Sequence, residues 1–167
     1  MLKLIDFESD FEEYVSFDDY VPVSVEWKNP KEKYKHPTIF WRIGDLSKSM
    51  FEIGIDSKIG AIRSLTLLLS VENSIRDETI SIKTLSEVQP ILDISSFETN
   101  YIDCKHNFSL EILNNAVKIV FCEQESVRLL KSRHCLFHFS HNDELLGISI
   151  INLSRMDLDK LKTSLSI

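Results

Sequence analysis

Alternation of apolar and polar residues with a period of two dominates this chain. In YVPVSVEW, Val21, Val23, Val25 and Trp27 fall on one side, and Tyr20, Pro22, Ser24 and Glu26 on the other. That is the pattern of a half-buried strand, and Pro22, which donates no ladder hydrogen bond, places it at a sheet edge. The lysine-rich turn KNPKEKYKHP leads into a second apolar run, Thr38 to Ile43. FEIGIDSKIGAIRSLTLLLSV then reads as a strand, a short turn and a longer strand. Phe51, Ile53 and Ile55 share a face, Asp56 to Gly60 supply the turn, and Leu65, Leu67, Leu69 and Val71 share a face beyond it.

Two further hairpins are specified to the level of register. In SLEILNNAVKIVF, Asn114-Asn115 suits a two-residue turn with φ > 0. Closing there sets Ile112 opposite Val117, Leu110 opposite Ile119 and Phe108 opposite Phe121, with Glu111 facing Lys118 on the other side. In RHCLFHFSHNDELLGISIIN, a turn at Asn142-Asp143 pairs Phe139 with Leu146, Phe137 with Ile148 and Cys135 with Ile150. A slip of one residue would mix apolar and polar faces in either hairpin, so the pattern selects the register.

Helical signals are fewer. Ser9-Asp-Phe-Glu12 has capping-box spacing and predicts a short helix through Phe17. Thr84 to Gln89 predicts about one helical turn before Pro90 stops it. Ser154-Arg-Met-Asp157 offers a third cap, followed by Met156, Leu158, Leu161 and Leu165 at near-helical spacing. The expected fold is α+β and mainly antiparallel. It is one domain over residues 1–167, made of β-hairpins in a twisted sheet or sandwich, with a few short peripheral helices including a C-terminal one.

Composition fits that picture: 43% of residues are hydrophobic and 27% charged, as in a globular chain able to bury a core without staples. The N-terminus has no basic segment followed by a long apolar run, so no secretory signal is expected, and no apolar run is long enough for a membrane helix. Cys104, Cys122 and Cys135 are odd in number and lack CxxC spacing, which predicts free thiols in a reducing, cytoplasmic setting. A pI near 5.2 disfavours direct nucleic-acid binding, which depends on Lys and Arg against phosphates. Trp27, Tyr34, Phe40 and Trp41 flank the lysine turn, but they continue the strand patterns rather than form a stacking platform.

Candidate chemistry is sparse. His134, His138 and His141, with Cys104 and His106 upstream, are residue types that zinc prefers. Along a strand, however, His134 and His138 share a face with Leu136 between them, while Cys135 points the other way. Cys135, alternating with Phe137 and Phe139, reads as a core residue. No GxSxG elbow, phosphate-cradling glycine loop, HExxH or dinucleotide fingerprint occurs. No catalytic residue, cofactor or metal is assigned.

Charge is the strongest asymmetry. DFESDFEEYVSFDD, residues 6–19, holds seven carboxylates and no base, and without it acids and bases balance at 19 each. Phe7, Phe11, Tyr14 and Phe17 are interleaved with the acids. Concentrated like charge opposes folding through self-repulsion, yet raises association rates with a basic partner by about 10–10³-fold. Asp10, Glu12, Glu13, Asp18 and Asp19 are therefore the expected partner-binding residues.

The stretch Glu52-Ile-Gly-Ile-Asp-Ser-Lys-Ile-Gly60-Ala-Ile-Arg-Ser-Leu-Thr66 resembles a strand–turn–strand of small bacterial immunity proteins, and so does Phe139 to Leu153 with its closing helix. The likeness covers about half the chain. It implies a cytoplasmic, non-enzymatic protein that binds a cognate secreted toxin domain and covers its active site, as in polymorphic-toxin and contact-dependent growth inhibition systems. Many such toxins are nucleases with basic surfaces, which an acidic face would match. Two other readings remain open: a metal- or thiol-dependent enzyme using the His134–His141 strand with Cys104 or His106, and an assembly subunit pairing through an exposed edge at Ala61–Val71.

Overall fold

The alternating runs fold as strands whose apolar rows meet between two six-stranded sheets. The computed structural model describes every residue except Tyr34, Val71, Lys83 and Thr84. In chain order the strands are β1 (Leu4–Glu8), β2 (Glu12–Ser16), β3 (Val23–Lys28), β4 (Thr38–Ile43), β5 (Met50–Asp56), β6 (Ile62–Leu69) and β7 (Asn73–Ile75). They continue as β8 (Gln89–Leu92), β9 (Tyr101–Cys104), β10 (Ser109–Ile112), β11 (Ala116–Val120), β12 (Arg128–Lys131), β13 (Cys135–Phe139) and β14 (Leu145–Ile151), followed by α1 (Arg155–Ser164).

The first sheet has the order β2-β3-β6-β5-β4-β9 and the second β12-β13-β14-β11-β10-β7. Neighbours are antiparallel except at two edges, where β9 joins β4 and β7 joins β10 in parallel. Aromatic pairs join the sheets: Trp27 with Phe137, Trp41 with Phe121, and Phe51 with both Phe108 and Phe121, at centroid separations of 5.5–6.2 Å. A ribbon of β1 and β8 straps the sandwich, bridging to Ala61 in the first half and to Lys131 and Glu144 in the second. Gly60, at φ +79, turns the chain so closely past Leu92 that a Cβ there would meet the Leu92 carbonyl.

The expected hairpins form. Leu110 faces Ile119, Glu111 faces Lys118 and Ile112 faces Val117, as the alternation predicts. Neither Asn114 nor Asn115 adopts positive φ, however. That turn is held from outside: Asn115 exchanges two 2.9 Å hydrogen bonds with the Ile80 backbone, and the Asn114 N–H donates to Glu78. In the last hairpin Asp143 has φ 59, and Phe137 and Cys135 pair as expected with Ile148 and Ile150. A bulge after His138 moves Phe139 from Leu146 to Leu145.

Several expectations change. Residues 9–17 are not helical: Glu12–Ser16 form β2, because pairing with Ser24–Lys28 of β3 outweighs a single capping signal. With β2 outside it, β3 is an interior strand, and Pro22 sits just before its first ladder residue. The predicted turn of helix ending at Gln89 is absent over residues 85–89, Thr84 lying outside the described residues; Gln89 and Pro90 belong to β8, paired with Glu8 and Phe7. α1 is thus the one helix among the described residues. Its capping box joins Ser154 and Asp157, and it buries Leu158 and Leu161, while Met156 is exposed. β6 is paired on both sides over Ser64–Leu67, so this central part of the run from Ala61 offers no free edge; Leu65 and Leu67 are buried and Leu69 is exposed. Val71 and Tyr34, both named above, also lie outside the described residues.

Candidate functional site

The acidic segment divides by strand parity. In β2, Glu13 and Val15 point into the sandwich and Glu12, Tyr14 and Ser16 point away from it. Glu13 is therefore withdrawn from any partner: its side chain is 1% exposed and spans the two sheets. One carboxylate oxygen accepts from Trp27 Nε1 at 2.8 Å. The other lies 2.6 Å from the His134 backbone nitrogen, which donates to it, and 3.0 Å from His134 Nδ1. Burial of a carboxylate is tolerable only with such partners.

Two further acids of the segment meet the chain's own cations. Asp10 pairs with Lys31 at 2.6 Å, both well exposed, and Glu8 lies 3.6 Å from Arg63. Asp6, Glu12, Asp18 and Asp19 are exposed and make no ion pair among the described residues. Glu12 accepts from the Tyr14 hydroxyl at 2.7 Å and Asp18 from the Tyr20 backbone N–H at 2.8 Å. Tyr20 is 90% exposed, the most open large hydrophobic side chain among the described residues. Asp19 borders a shallow groove of about 530 Å³ against Arg155, Met156, Asp159, Lys160 and Thr163 of α1.

A second cluster gathers behind the lysine turn. Asp56, 2% exposed, accepts from the backbone N–H groups of Lys58 and Ile59 and contacts His36 Nδ1 at 3.0 Å and Arg63 at 3.1 Å. Arg63 also pairs with Glu32 at 2.5 Å. Burial pushes the Asp56 carboxyl up, but the Ile59 and Lys58 N–H donors, His36 and Arg63 together hold it below the ordinary carboxylate range. Glu8 goes the other way: burial raises it, Arg63 offsets only part, and the charges of Glu32, Asp56 and Asp10 add to the rise.

Glu32, His36 and Asp56 are the one group among the described residues with the mutual spacing of metal ligands. Nη2 of Arg63 lies 2.5 Å from Glu32 and 3.1 Å from Asp56, so both carboxylates already share a cation of the chain's own. The cluster is an internal ion-pair node joining the loop of residues 29–37 to β5 and β6. Sequence inspection missed it because the members lie up to 31 positions apart and no local signal links them.

The histidine strand does not assemble a site. Cys135 is fully buried, and desolvation, with the charge of Glu13 adding, pushes its thiol well up and away from reactivity. Leu136 fills the gap between His134 and His138 by packing with Leu113, Ala116 and Ile151. Cys104 belongs to the edge of the other sheet, in β9. His141 and His106 are exposed.

His138 lies under a cavity of about 350 Å³ also lined by Arg76, Glu111, Lys118 and Cys122, with Nε2 2.9 Å from Ser149 Oγ. Burial, and secondarily the charge of Lys118, hold this imidazole down at about 4. The unfolded chain takes up this proton near pH 6.5 and the folded protein only near 4. Stability from this group is therefore complete above the unfolded value and declines as pH falls between the two, by up to about 3 kcal/mol. Urea unfolding of the parent should weaken from pH 7 to pH 5, and His138→Gln should flatten that dependence. Equal slopes for the two proteins would contradict it.

The chain matches no protein-family model, and no curated protein matches it significantly.

Proposed function

We propose that this chain is a cytoplasmic, non-enzymatic immunity protein that binds a cognate, basic toxin domain and covers its active site. The contact surface in this reading runs along β2 and the turn after it: Glu12, Tyr14, Asp18, Asp19 and Tyr20. The supporting observation is that Glu12 on the edge strand and Asp18 and Asp19 in the turn after it are exposed and make no salt bridge among the described residues, beside exposed Tyr14 and Tyr20. Lys28 faces Glu12 across the ladder and lies over the Tyr14 ring. Tyrosine supplies large contact area and a hydroxyl at low entropic cost, and charge around it speeds encounter. Asp10, half-neutralised by Lys31, stands at the margin, and Glu13 supports the fold instead. The resemblance to polymorphic-toxin immunity proteins over Glu52–Thr66 and Phe139–Leu153 agrees in kind.

The test is to sequence the flanking genes and, where one encodes a large secreted protein with a toxic C-terminal domain, to co-express that domain with this chain. That domain should arrest growth alone, and this chain should relieve the arrest. With purified components, Glu12→Lys/Asp18→Lys/Asp19→Lys should slow association about tenfold or more at low salt and remove most of the salt dependence. Growth arrest that this chain fails to relieve, or an association rate indifferent to the triple reversal, rejects the proposal.

A further inference from the structure

We infer that the outer edge of β2 is a strand-acceptor site, which takes an extended basic segment of a partner protein as a seventh strand of the first sheet. This inference rests on the reading of the chain as a partner-binding protein and adds how the partner is held.

Four strands end the two sheets, and three are protected against addition. β7 is three residues long. β9 is a four-residue parallel edge whose side chains are engaged, Asp103 with Arg42 and Tyr101 stacked on Phe40. β12 carries Arg128 and Lys131, and charged residues of that kind, lysine above all, are common guards of an edge. β2 differs. Five residues pair with β3 in unbroken register from Glu12–Lys28 to Ser16–Ser24, with no bulge or proline. Its two charges are both acidic: Glu13 is turned inward and bonded to Trp27 and His134, which leaves Glu12 as the one charge facing outward, a sign that attracts a basic strand. Among the described residues β3 is its one strand neighbour, so one side of its backbone has no ladder partner there.

The chemistry of the occupant follows from the two faces of β2. Beyond its outward row, Glu12 and Tyr14, an added strand would place its own outward side chains, and lysine or arginine there would face the acids. Beyond Val15 on the inward row, with Phe11 and Phe17 nearby, it would place apolar residues against the core margin. The fitting segment alternates basic and apolar residues. A second copy of this chain fits poorly: antiparallel self-pairing centred on Tyr14 would set Asp10 opposite Asp18, and like charges directly opposed are destabilising.

A short blocked peptide alternating lysine and valine is the probe, added to the full-length protein and followed by amide hydrogen exchange. Binding should slow exchange at alternate amides within residues 12–16 by about tenfold or more and weaken as salt rises. The same peptide N-methylated on the edge-facing amides keeps its charge and side chains but cannot complete the ladder, and it should not bind. Equal binding of both peptides, no binding of either, or protection that leaves β2 unchanged overturns the strand-acceptor inference. So does concentration-dependent self-association that Glu12→Lys abolishes, since a second copy would then be the occupant. Growth rescue by the chain is read separately, so a failed edge with successful rescue leaves the neutralising function standing.

Discussion

Phe51→Ala is expected to lower unfolding free energy by about 3–5 kcal/mol, the cost of emptying a large aromatic from a packed interior. Phe51 is fully buried in β5, and its ring meets Phe108 at 6.2 Å and Phe121 at 5.6 Å, both contributed by the opposite half of the sandwich. The cavity therefore opens between the sheets, where rigid strands on both sides limit collapse. For a chain of this length the loss corresponds to a fall in Tm of roughly 6–20 °C. Thermal unfolding by circular dichroism reads it directly, and Phe51→Leu should recover much of the difference. A loss below about 1 kcal/mol would mean that the two sheets do not share a tightly packed core here.

Glu13→Ala should cost about 2–4 kcal/mol, because truncation leaves Trp27 Nε1 and the His134 backbone N–H without their acceptor. Trp27 is 3% exposed, so water does not readily replace the lost carboxylate. Glu13→Gln keeps one carbonyl acceptor and should lie between the parent and the alanine variant. The contrast with Glu12 is the useful part. The two residues adjoin, yet Glu13→Gln should change stability while leaving the association rate of the folded fraction with a basic partner intact. Glu12→Lys should do the reverse. Paired urea titrations and stopped-flow association separate the two effects, and a Glu13 variant that slows association without loss of stability would contradict the assignment.

Much of the fold is legible residue by residue. The hairpins at Asp56–Gly60, Asn114–Asn115 and Asn142–Asp143 appear where turn residues interrupt alternating runs, and in the last two Leu110–Ile119, Ile112–Val117, Phe137–Ile148 and Cys135–Ile150 pair as expected. The C-terminal helix announces itself through Ser154, Asp157 and the spacing of Leu158 and Leu161. The failures have one cause. Ser9 to Glu12 carries a local helix signal, but Glu12 to Ser16 pair with β3, whose need for a partner lies in a different segment. Of the five acids singled out, Glu12, Asp18 and Asp19 are available at the surface, Asp10 is paired and Glu13 is buried.

Alternation, turn chemistry and capping act over a few residues, so strand identity, hairpin register and the closing helix are written locally in this chain. The order of strands in each sheet, the parallel edges, the strap of β1 and β8, and the meeting of Glu32, His36, Asp56 and Arg63 are settled only on folding. These contacts join segments distant along the chain, and their energy comes from pairing and burial that no short window encodes. The same division applies to the acidic stretch: its charge is a property of composition, but which carboxylates reach solvent depends on the face that β2 turns toward the core.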